Sequence, residues 1–197
     1  MSVSAVVTTY QSQALLSRCL RSLAWVDELI VVDGGSTDRT LEIAADAGGR
    51  IIRSDNPQML NINKNRGFEA ATGDWILSID SDEEISPALS REILEQLATP
   101  AASAFWLPRL HVLLGQVLRH GPWGADRQLR LFRRGFGRFD CKDIHELLRV
   151  DCPAGELRQP LLHHRPTTLA AYRRHEQSKS STTYRSAQTH PTISAII

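Results

Sequence analysis

Apolar positions along the first hundred residues alternate between two kinds of spacing. Short β-branched or apolar runs predict strands at residues 4–8, 29–32, 50–52 and 75–79. Apolar stripes at helical spacing predict the intervening helices, at residues 13–23, 37–45, 57–71 and from residue 87 onward. Strands that alternate with helices are typical of a mostly parallel sheet with helices on both faces. We therefore expect an α/β fold for this half of the chain.

Two serines mark predicted helix starts. Ser36 follows the strand-ending turn that begins at Asp33, and we expect its side chain to cap the second helix. Ser86 stands before Pro87, and a capping serine followed by proline at the first helical position is a strong start signal.

The pattern changes after Thr99 and Pro100. Strand-like runs follow at residues 104–107, 128–132 and 144–150, joined by Gly- and Arg-rich connections. The next helix is expected only at about residues 168–185. We treat the chain as a single domain with two halves, residues 1–99 and the β-rich residues 100–197.

Composition narrows the class of protein. A chain of 197 residues with 42% hydrophobic and 23% charged residues can bury a full core, which excludes wholesale disorder. The net charge of +1 argues against a nucleic-acid partner, and no apolar run is long enough to cross a bilayer. The N-terminus lacks the pattern of a signal peptide, and Cys19, Cys141 and Cys152 have no metal-like spacing. We expect a cytoplasmic protein with reduced thiols.

Charge is segregated along the chain. Seven acids lie within residues 74–95, and seven arginines lie within residues 109–138. These stretches either meet across a cleft that holds a cation and an anion, or they form two solvated faces. The basic bias continues through residues 157–185, so we expect that segment to contact anionic lipid headgroups at a membrane surface.

Three predicted strands end in polar residues, where open α/β sheets bind ligands. Asp80 and Asp82 follow the fourth strand, and carboxylates at this spacing suit Mg²⁺ or Mn²⁺ bound together with a diphosphate. The alternative is a solvated acidic loop that includes Glu83 and Glu84. Asp33 is expected to contact a base or ribose, while the following glycines and Ser36 shape the turn.

Several segments together resemble a known family. SAVVTTY (4–10), VVDGGSTDRT (31–40), KNRG (64–67) and GDWILSIDSDE (73–83) resemble family 2 glycosyltransferases, which have the GT-A fold. QLRLF (128–132), IHE (144–146) and PLLH (160–163) are similar to the lipopolysaccharide-core subgroup of that family. Two features depart from the pattern, because Gly34 stands where an acid or serine is common and members are usually longer.

The resemblance implies roles for particular residues. Asp82, helped by Asp80 and by His163, would hold a divalent cation, Mg²⁺ or Mn²⁺. The donor would contact Thr8, Tyr10, Asp33, Lys64 and Asp80, with Arg127 and Arg130 facing its diphosphate. Alternatives stay open: Lys64 as a snorkelling side chain, His163 as a merely hydrogen-bonded residue and Arg130 as an exposed strand residue.

The general base is sought among residues 143–146. If residues 144–150 form a strand, Glu146 shares a face with Leu148 and Val150, and a carboxylate in an apolar stripe has a raised pKa that suits a base. The alternative is an ion pair between Glu146 and a nearby arginine, and Asp143 is the second candidate for the base.

We therefore expect an inverting, metal-dependent transfer of a sugar from a nucleotide-sugar donor to a glycan or glycolipid hydroxyl. Lipopolysaccharide or cell-envelope polysaccharide synthesis at the inner face of the membrane would fit that activity. The alternative is a non-catalytic or truncated module that binds a nucleotide or a glycan. Nucleotidyl transfer would need a Gly-rich basic loop after the first strand, where TTYQS (8–12) stands instead.

Overall fold

The part of the chain that the structure describes combines one large mixed sheet with four helices. A computed structural model describes residues 1–55, 60–118, 126–142 and 147–165. In these ranges the helices are α1 (Leu16–Ser22), α2 (Thr40–Asp46), α3 (Asn61–Ala70) and α4 (Pro87–Ala98). The strands of the first half are β1 (Val3–Thr9), β2 (Glu28–Asp33), β3 (Arg50–Arg53), β4 (Trp75–Asp80) and β5 (Glu83–Ile85).

The second half consists of strands in the part that the structure describes. They are β6 (Ala104–Leu113), β7 (Gln116–Leu118), β8 (Arg127–Arg133), β9 (Gly137–Arg138), β10 (Arg149–Val150), β11 (Ala154–Glu156) and β12 (Leu161–His164). The main sheet has the order β3-β2-β1-β4-β8-β6-β12-β5, with β7 and β11 also paired to β6. β9 and β10 form a separate two-stranded ribbon.

The sheet joins a parallel half to a mixed half. β1, β2, β3 and β4 run parallel, so their carboxyl ends lie along one edge. β8 then pairs antiparallel with β4, which makes the sheet continuous across the two halves of the sequence. At the far side β12 pairs parallel with β6 and antiparallel with β5.

The core lies on both faces of this sheet. Ala5 and Val7 of β1 point into a cluster with Leu16, Leu77 and Ile93 that packs α1 and α4 against the sheet. Val6 faces the opposite cluster, which contains Ile30, Phe68 and Phe132 and packs α3 against the sheet. β1 is thus buried on both sides, which explains why the apolar residues Ala5, Val6 and Val7 follow one another without an alternating polar position.

The α/β architecture predicted from the sequence is confirmed. Each of the four predicted early strands is present, and Ser86 caps α4 by accepting a hydrogen bond from the backbone N–H of Leu89. β5 was not predicted, and the proposed strand at 144–150 is reduced to β10 in the described residues. The helix expected at 168–185 lies outside the described residues. Among the described residues, no helix is long and apolar enough to cross a membrane.

The prediction that Ser36 caps α2 is wrong. The helix begins at Thr40, and the Ser36 hydroxyl instead donates to Asp33 Oδ1 at 2.5 Å. Asp38 serves the helix start, because its Oδ1 accepts from both the backbone N–H and the hydroxyl of Thr40. The polar side chains of the turn after β2 therefore form hydrogen bonds within the turn before the helix begins.

Candidate functional site

The carboxyl ends of β1, β2 and β4 meet at one edge of the sheet. Thr9 lies opposite Asp33, and Thr8 lies opposite Asp80, in the strand registers. The Thr8 hydroxyl is 3.5 Å from Asp80 Oδ1. The structure thus brings together three of the residues that the sequence assigned to a ligand site.

Asp33 is buried at this edge and holds its own turn. Its Oδ2 accepts hydrogen bonds from the backbone N–H groups of Gly35 at 3.0 Å and Ser36 at 2.9 Å. The left-handed φ of +87° at Gly35 explains the glycine there. The observed contacts of Asp33 are structural, so its predicted contact with a nucleotide stays a prediction.

Asp80 is held between two cations from different parts of the chain. Lys64 Nζ of α3 lies 2.8 Å from its Oδ1, and Arg130 Nη2 of β8 lies 2.5 Å from its Oδ2. Burial alone would raise the pKa of Asp80, but Arg130 and Lys64 outweigh it and hold that pKa well below its usual range. The carboxylate is therefore ionised, and its charge is balanced within the protein.

Glu83 lies beneath Asp80, and no pattern in the sequence indicated its structural role. Its side chain is fully buried, and its Oε2 accepts from the backbone N–H of Asp80 at 2.9 Å. Its Oε1 lies 2.7 Å from Arg130 Nη2 and 3.4 Å from Arg109 Nη1. Burial raises the pKa of Glu83, while Arg130 opposes that rise. The reading of Glu83 as part of a solvated loop is wrong, as is the reading of Arg130 as an exposed strand residue.

Asp82 meets His163 because β5 and β12 are paired. The backbone N–H of His164 donates to the Asp82 carbonyl at 2.8 Å, and His163 Nε2 lies 3.0 Å from Asp82 Oδ2. This pairing brings an imidazole nitrogen and a carboxylate oxygen, 81 positions apart in sequence, to one point.

A second histidine lies behind His163. His163 Nδ1 and His111 Nδ1 are 3.0 Å apart, and His111 Nε2 lies 3.4 Å from Asp126 Oδ2. Burial, with smaller contributions from His163 and Arg109, lowers the pKa of His111 to about 4. His111 is therefore neutral near pH 7. In sequence it lies in an apolar strand with no motif around it, so only the fold reveals this contact.

The donor atoms at Asp82 suit a divalent cation that a ligand helps to hold. No three His, Cys, Asp or Glu side chains converge as a complete metal site in the described ranges. Asp82 and His163 nevertheless offer one oxygen and one nitrogen at close range, which is a donor set for Mn²⁺ or Mg²⁺ completed by phosphate oxygens. Asp80 differs, because both of its oxygens already face cationic side chains.

A cavity of about 280 Å³ opens beside Asp80, between α3 and the strands of the second half. Its polar lining includes Lys64, Arg109 and Gln128, and its apolar walls include Trp106 and Leu148. Arg130 also lines it, and among the described residues the buried Nε of Arg130 has no hydrogen-bond partner. Charged groups beside apolar and aromatic walls are typical of a small-molecule site.

A larger cavity, about 490 Å³, lies elsewhere among the described residues. It lies between α1 and α2, and its lining contains none of the candidate site residues. Cavity volume therefore does not identify the candidate site. The convergence of charged side chains at the sheet edge identifies it.

Other predicted site residues have different positions. Tyr10 is exposed just past the end of β1. Arg127 is exposed and pairs with Glu156, so the observed partner of this side chain is a carboxylate at the surface. The base candidates, Glu146 and Asp143, lie outside the described residues. Leu147 and Leu148 are not in a strand, so the strand predicted over residues 144–150 is limited to Arg149 and Val150 among the described residues.

Comparisons with known proteins agree with this geometry. The sequence model of "Glycosyl transferase family 2" matches residues 4–175. "Lipopolysaccharide core biosynthesis glycosyltransferase LpsC" of Rhizobium meliloti is 32% identical over 174 residues, which cover 85% of this chain and 64% of that protein. "TPR repeat-containing protein Synpcc7942_0270" of Synechococcus elongatus is 39% identical over 160 residues, covering 80% of this chain and 38% of that protein.

A solved structure shows the same architecture. The S. aureus TarS 1-349 crystal structure with UDP-GlcNAc superimposes with a TM-score of 0.51 at 26% identity, covering 57% of this chain and 35% of that chain. The present chain thus spans between 38% and 64% of the length of the two curated relatives. The strand-end residues, the GT-A-like fold and the family match agree, and the chain belongs to glycosyl transferase family 2.

Proposed function

We propose that the chain transfers a sugar, with inversion, from a nucleotide-sugar donor to a hydroxyl of a glycan or glycolipid. The observation that carries this proposal is the convergence of Lys64, Asp80 and Arg130 at the cavity, with the Asp82–His163 pair two residues further along the chain from Asp80. The UDP-GlcNAc bound by the TarS relative supports a nucleotide-sugar donor. The name of LpsC supports a lipopolysaccharide-type acceptor.

In this proposal, one set of side chains contacts the donor and its leaving diphosphate, and a different set acts on the acceptor hydroxyl. Lys64 and Arg130 provide positive charge next to the donor phosphates, with Thr8, Tyr10 and Asp33 toward the nucleoside and Asp80 between the two regions. Asp82 and His163 would hold a divalent cation, Mg²⁺ or Mn²⁺, which when bound neutralises charge on the departing diphosphate.

The acceptor hydroxyl needs a base on the opposite side of the sugar. Glu146, with Asp143 as the second candidate, would accept that proton as the oxygen attacks the anomeric carbon. Glu146 is joined by one peptide bond to Leu147, which lines the cavity. Direct displacement from that side inverts the anomeric centre.

Thermal unfolding with a panel of nucleoside diphosphates, with and without Mn²⁺, tests the proposal. A diphosphate at a hundredfold over its Kd adds about 2.7 kcal/mol to the free energy of unfolding and raises the midpoint by several degrees. We expect the rise to need Mn²⁺, to be lost in Asp82→Asn and to persist in Glu95→Gln, an exposed carboxylate on α4.

Product analysis then separates a transferase from a binding module. The diphosphate that raises the midpoint identifies the base of the donor, and the matching nucleotide-sugar is incubated with lipopolysaccharide-core acceptors. Glu146→Gln should keep the thermal shift and lose transfer. Binding without transfer in the wild type would favour the non-catalytic module, and the absence of any shift would contradict a donor site.

A further inference from the structure

His111 and His163 form a direct pair on neighbouring strands. They lie opposite each other in the parallel register of β6 and β12, and their Nδ1 atoms are 3.0 Å apart. At that distance one nitrogen donates a hydrogen and the other accepts it. The hydrogen bond therefore runs in one of two directions, and the groups that face the two outer nitrogens determine which one.

The outer nitrogens face two carboxylates. His163 Nε2 is near Asp82, and His111 Nε2 is near Asp126. Asp126 is itself fixed, because its Oδ2 accepts from Arg109 Nε at 2.6 Å and its Oδ1 accepts from Gln128 Nε2 at 2.9 Å. The four residues form a chain from Asp126 through His111 and His163 to Asp82.

Without a cation, either direction leaves one imidazole lone pair against a carboxylate, that of His163 Nε2 against Asp82 or that of His111 Nε2 against Asp126. A cation held by Asp82 would decide between them, because it would take the lone pair of His163 Nε2 and leave the hydrogen of His163 on Nδ1. His163 would then donate to His111 Nδ1, and the hydrogen of His111 would lie on Nε2, where it faces the Asp126 carboxylate.

We propose that His111, anchored by Asp126, is a positioning residue that holds the His163 ring with its Nε2 lone pair directed at a cation bound by Asp82. This inference rests on the proposed function, because it assigns a support to the cation site of that reaction. Partners of this kind fix the tautomer and the orientation of a ligating histidine. His111 itself contacts neither cation nor substrate in this proposal.

Mn²⁺ binding measured by electron paramagnetic resonance tests the role without any turnover. The probes are Mn²⁺ alone and Mn²⁺ with the diphosphate that stabilises the wild type. His111→Leu removes the acceptor and should weaken Mn²⁺ binding about 10- to 100-fold, the usual effect of losing such a support. His111→Gln, whose side-chain oxygen can accept from His163 Nδ1, should recover most of that affinity.

A matched control lies one residue away on β12. His164 contacts Glu84 and Arg18 instead, and His164→Gln should bind Mn²⁺ as the wild type does. Equal affinities in the wild type and His111→Leu, with Asp82→Asn impaired, would overturn this inference and leave the proposed function intact. A wild-type protein that binds no Mn²⁺ would overturn the proposed function and this inference with it.

A spectroscopic measurement on the wild type keeps the inference testable if His111→Leu does not fold. With diamagnetic Cd²⁺ in place of Mn²⁺, the ¹⁵N shifts of His163 should show a hydrogen on Nδ1 and a metal-bound Nε2. A hydrogen on Nε2 of His163 in the Cd²⁺-bound protein would overturn it.

Discussion

Arg130 is the side chain on which the charges of the site depend. One guanidinium nitrogen lies within 2.7 Å of both Asp80 and Glu83, and the side chain is 5% exposed. Without Arg130, these two carboxylates would repel each other, because they come from one short turn and are poorly solvated there. The arginine therefore stabilises the fold and also places positive charge beside the cavity.

Replacing Arg130 should show its structural part. Arg130→Met leaves the buried Glu83 and the half-buried Asp80 without their shared cation, so we expect the free energy of unfolding to fall by about 3–5 kcal/mol. Arg127→Met on the same strand removes an exposed pair with Glu156 and should cost less than about 1 kcal/mol. Urea unfolding measures both, and equal losses in the two variants would contradict a special role for Arg130.

His111 should make stability depend on pH in the weakly acidic range. Its pKa is about 4 in the folded protein against an ordinary 6.5 in the unfolded chain. Between these values the unfolded chain binds more protons, so the free energy of unfolding falls as the pH is lowered from about 6.5 to about 4. The full loss is roughly 3 kcal/mol, at about 1.4 kcal/mol for each pKa unit.

The measurement is urea unfolding between about pH 7 and pH 4 in the presence of a chelator, for the wild type and His111→Leu. The variant lacks the titrating ring, so its free energy of unfolding should fall less steeply over this range. Parallel curves for the two proteins would show that another group is responsible.

The sequence predicted those site residues that carry local signals, and missed those that depend on tertiary contacts. Asp80 and Asp82 were found because they follow a buried strand, and Lys64 because it lies on the inner face of a predicted helix. Glu83 and His111 have no such signal, since their partners lie 47 and 52 positions away along the chain. Their roles arise from strand pairing, which local patterns do not encode.

At the scale of elements, the close packing of α3 on the sheet positions Lys64. Gly67 is the contact point, since a Cβ there would lie 2.2 Å from Val6 Cγ1 and 3.0 Å from Val32 Cγ2. These two valines belong to β1 and β2, so the glycine sets the distance between helix and sheet. Lys64 lies one turn earlier on the same helix and reaches Asp80 from there.

Gly67→Ala should therefore destabilise the protein. Alanine favours a helix over glycine by about 1 kcal/mol, but overpacking at this site should lower the free energy of unfolding by about 1–3 kcal/mol. Glu69→Ala, at an exposed position of α3, should change it by less than about 0.5 kcal/mol. Thermal and urea unfolding decide the sign, and a more stable Gly67→Ala protein would contradict the tight contact.

The alternation of strands and helices was enough to predict the early elements, while short elements were not recognisable. β5 contains two acids and one apolar residue, so no alternation marks it, and it is a strand because β12 pairs with it. β10 has two residues and pairs only with β9. Strands of this length form only because they pair with other strands. Those pairing partners cannot be identified from local sequence before the fold is known.

At the scale of the whole molecule, one continuous sheet joins the two halves of the sequence. Leu131 of β8 is fully buried and pairs with Leu77 of β4 on one side and Phe105 of β6 on the other. All three belong to the core cluster that also holds Leu16 of α1. Residues 1–99 therefore share their core with described residues of the second half, and the single domain over the whole chain stays a prediction.

Hydrogen exchange should show that the two halves unfold together. The slowest amides of β2 and β6 should exchange through the same global opening, because neither strand can keep its core partners once β8 separates. Leu131→Ala should lower the protection free energy of both strands equally, by about 2–5 kcal/mol, since it opens a cavity at the shared core. Leu94→Ala, at a half-exposed position of α4, should leave both nearly unchanged. If Leu131→Ala released β6 while β2 kept its protection, residues 1–99 would be an independent folding unit, and the donor and acceptor sides of the site would be separable.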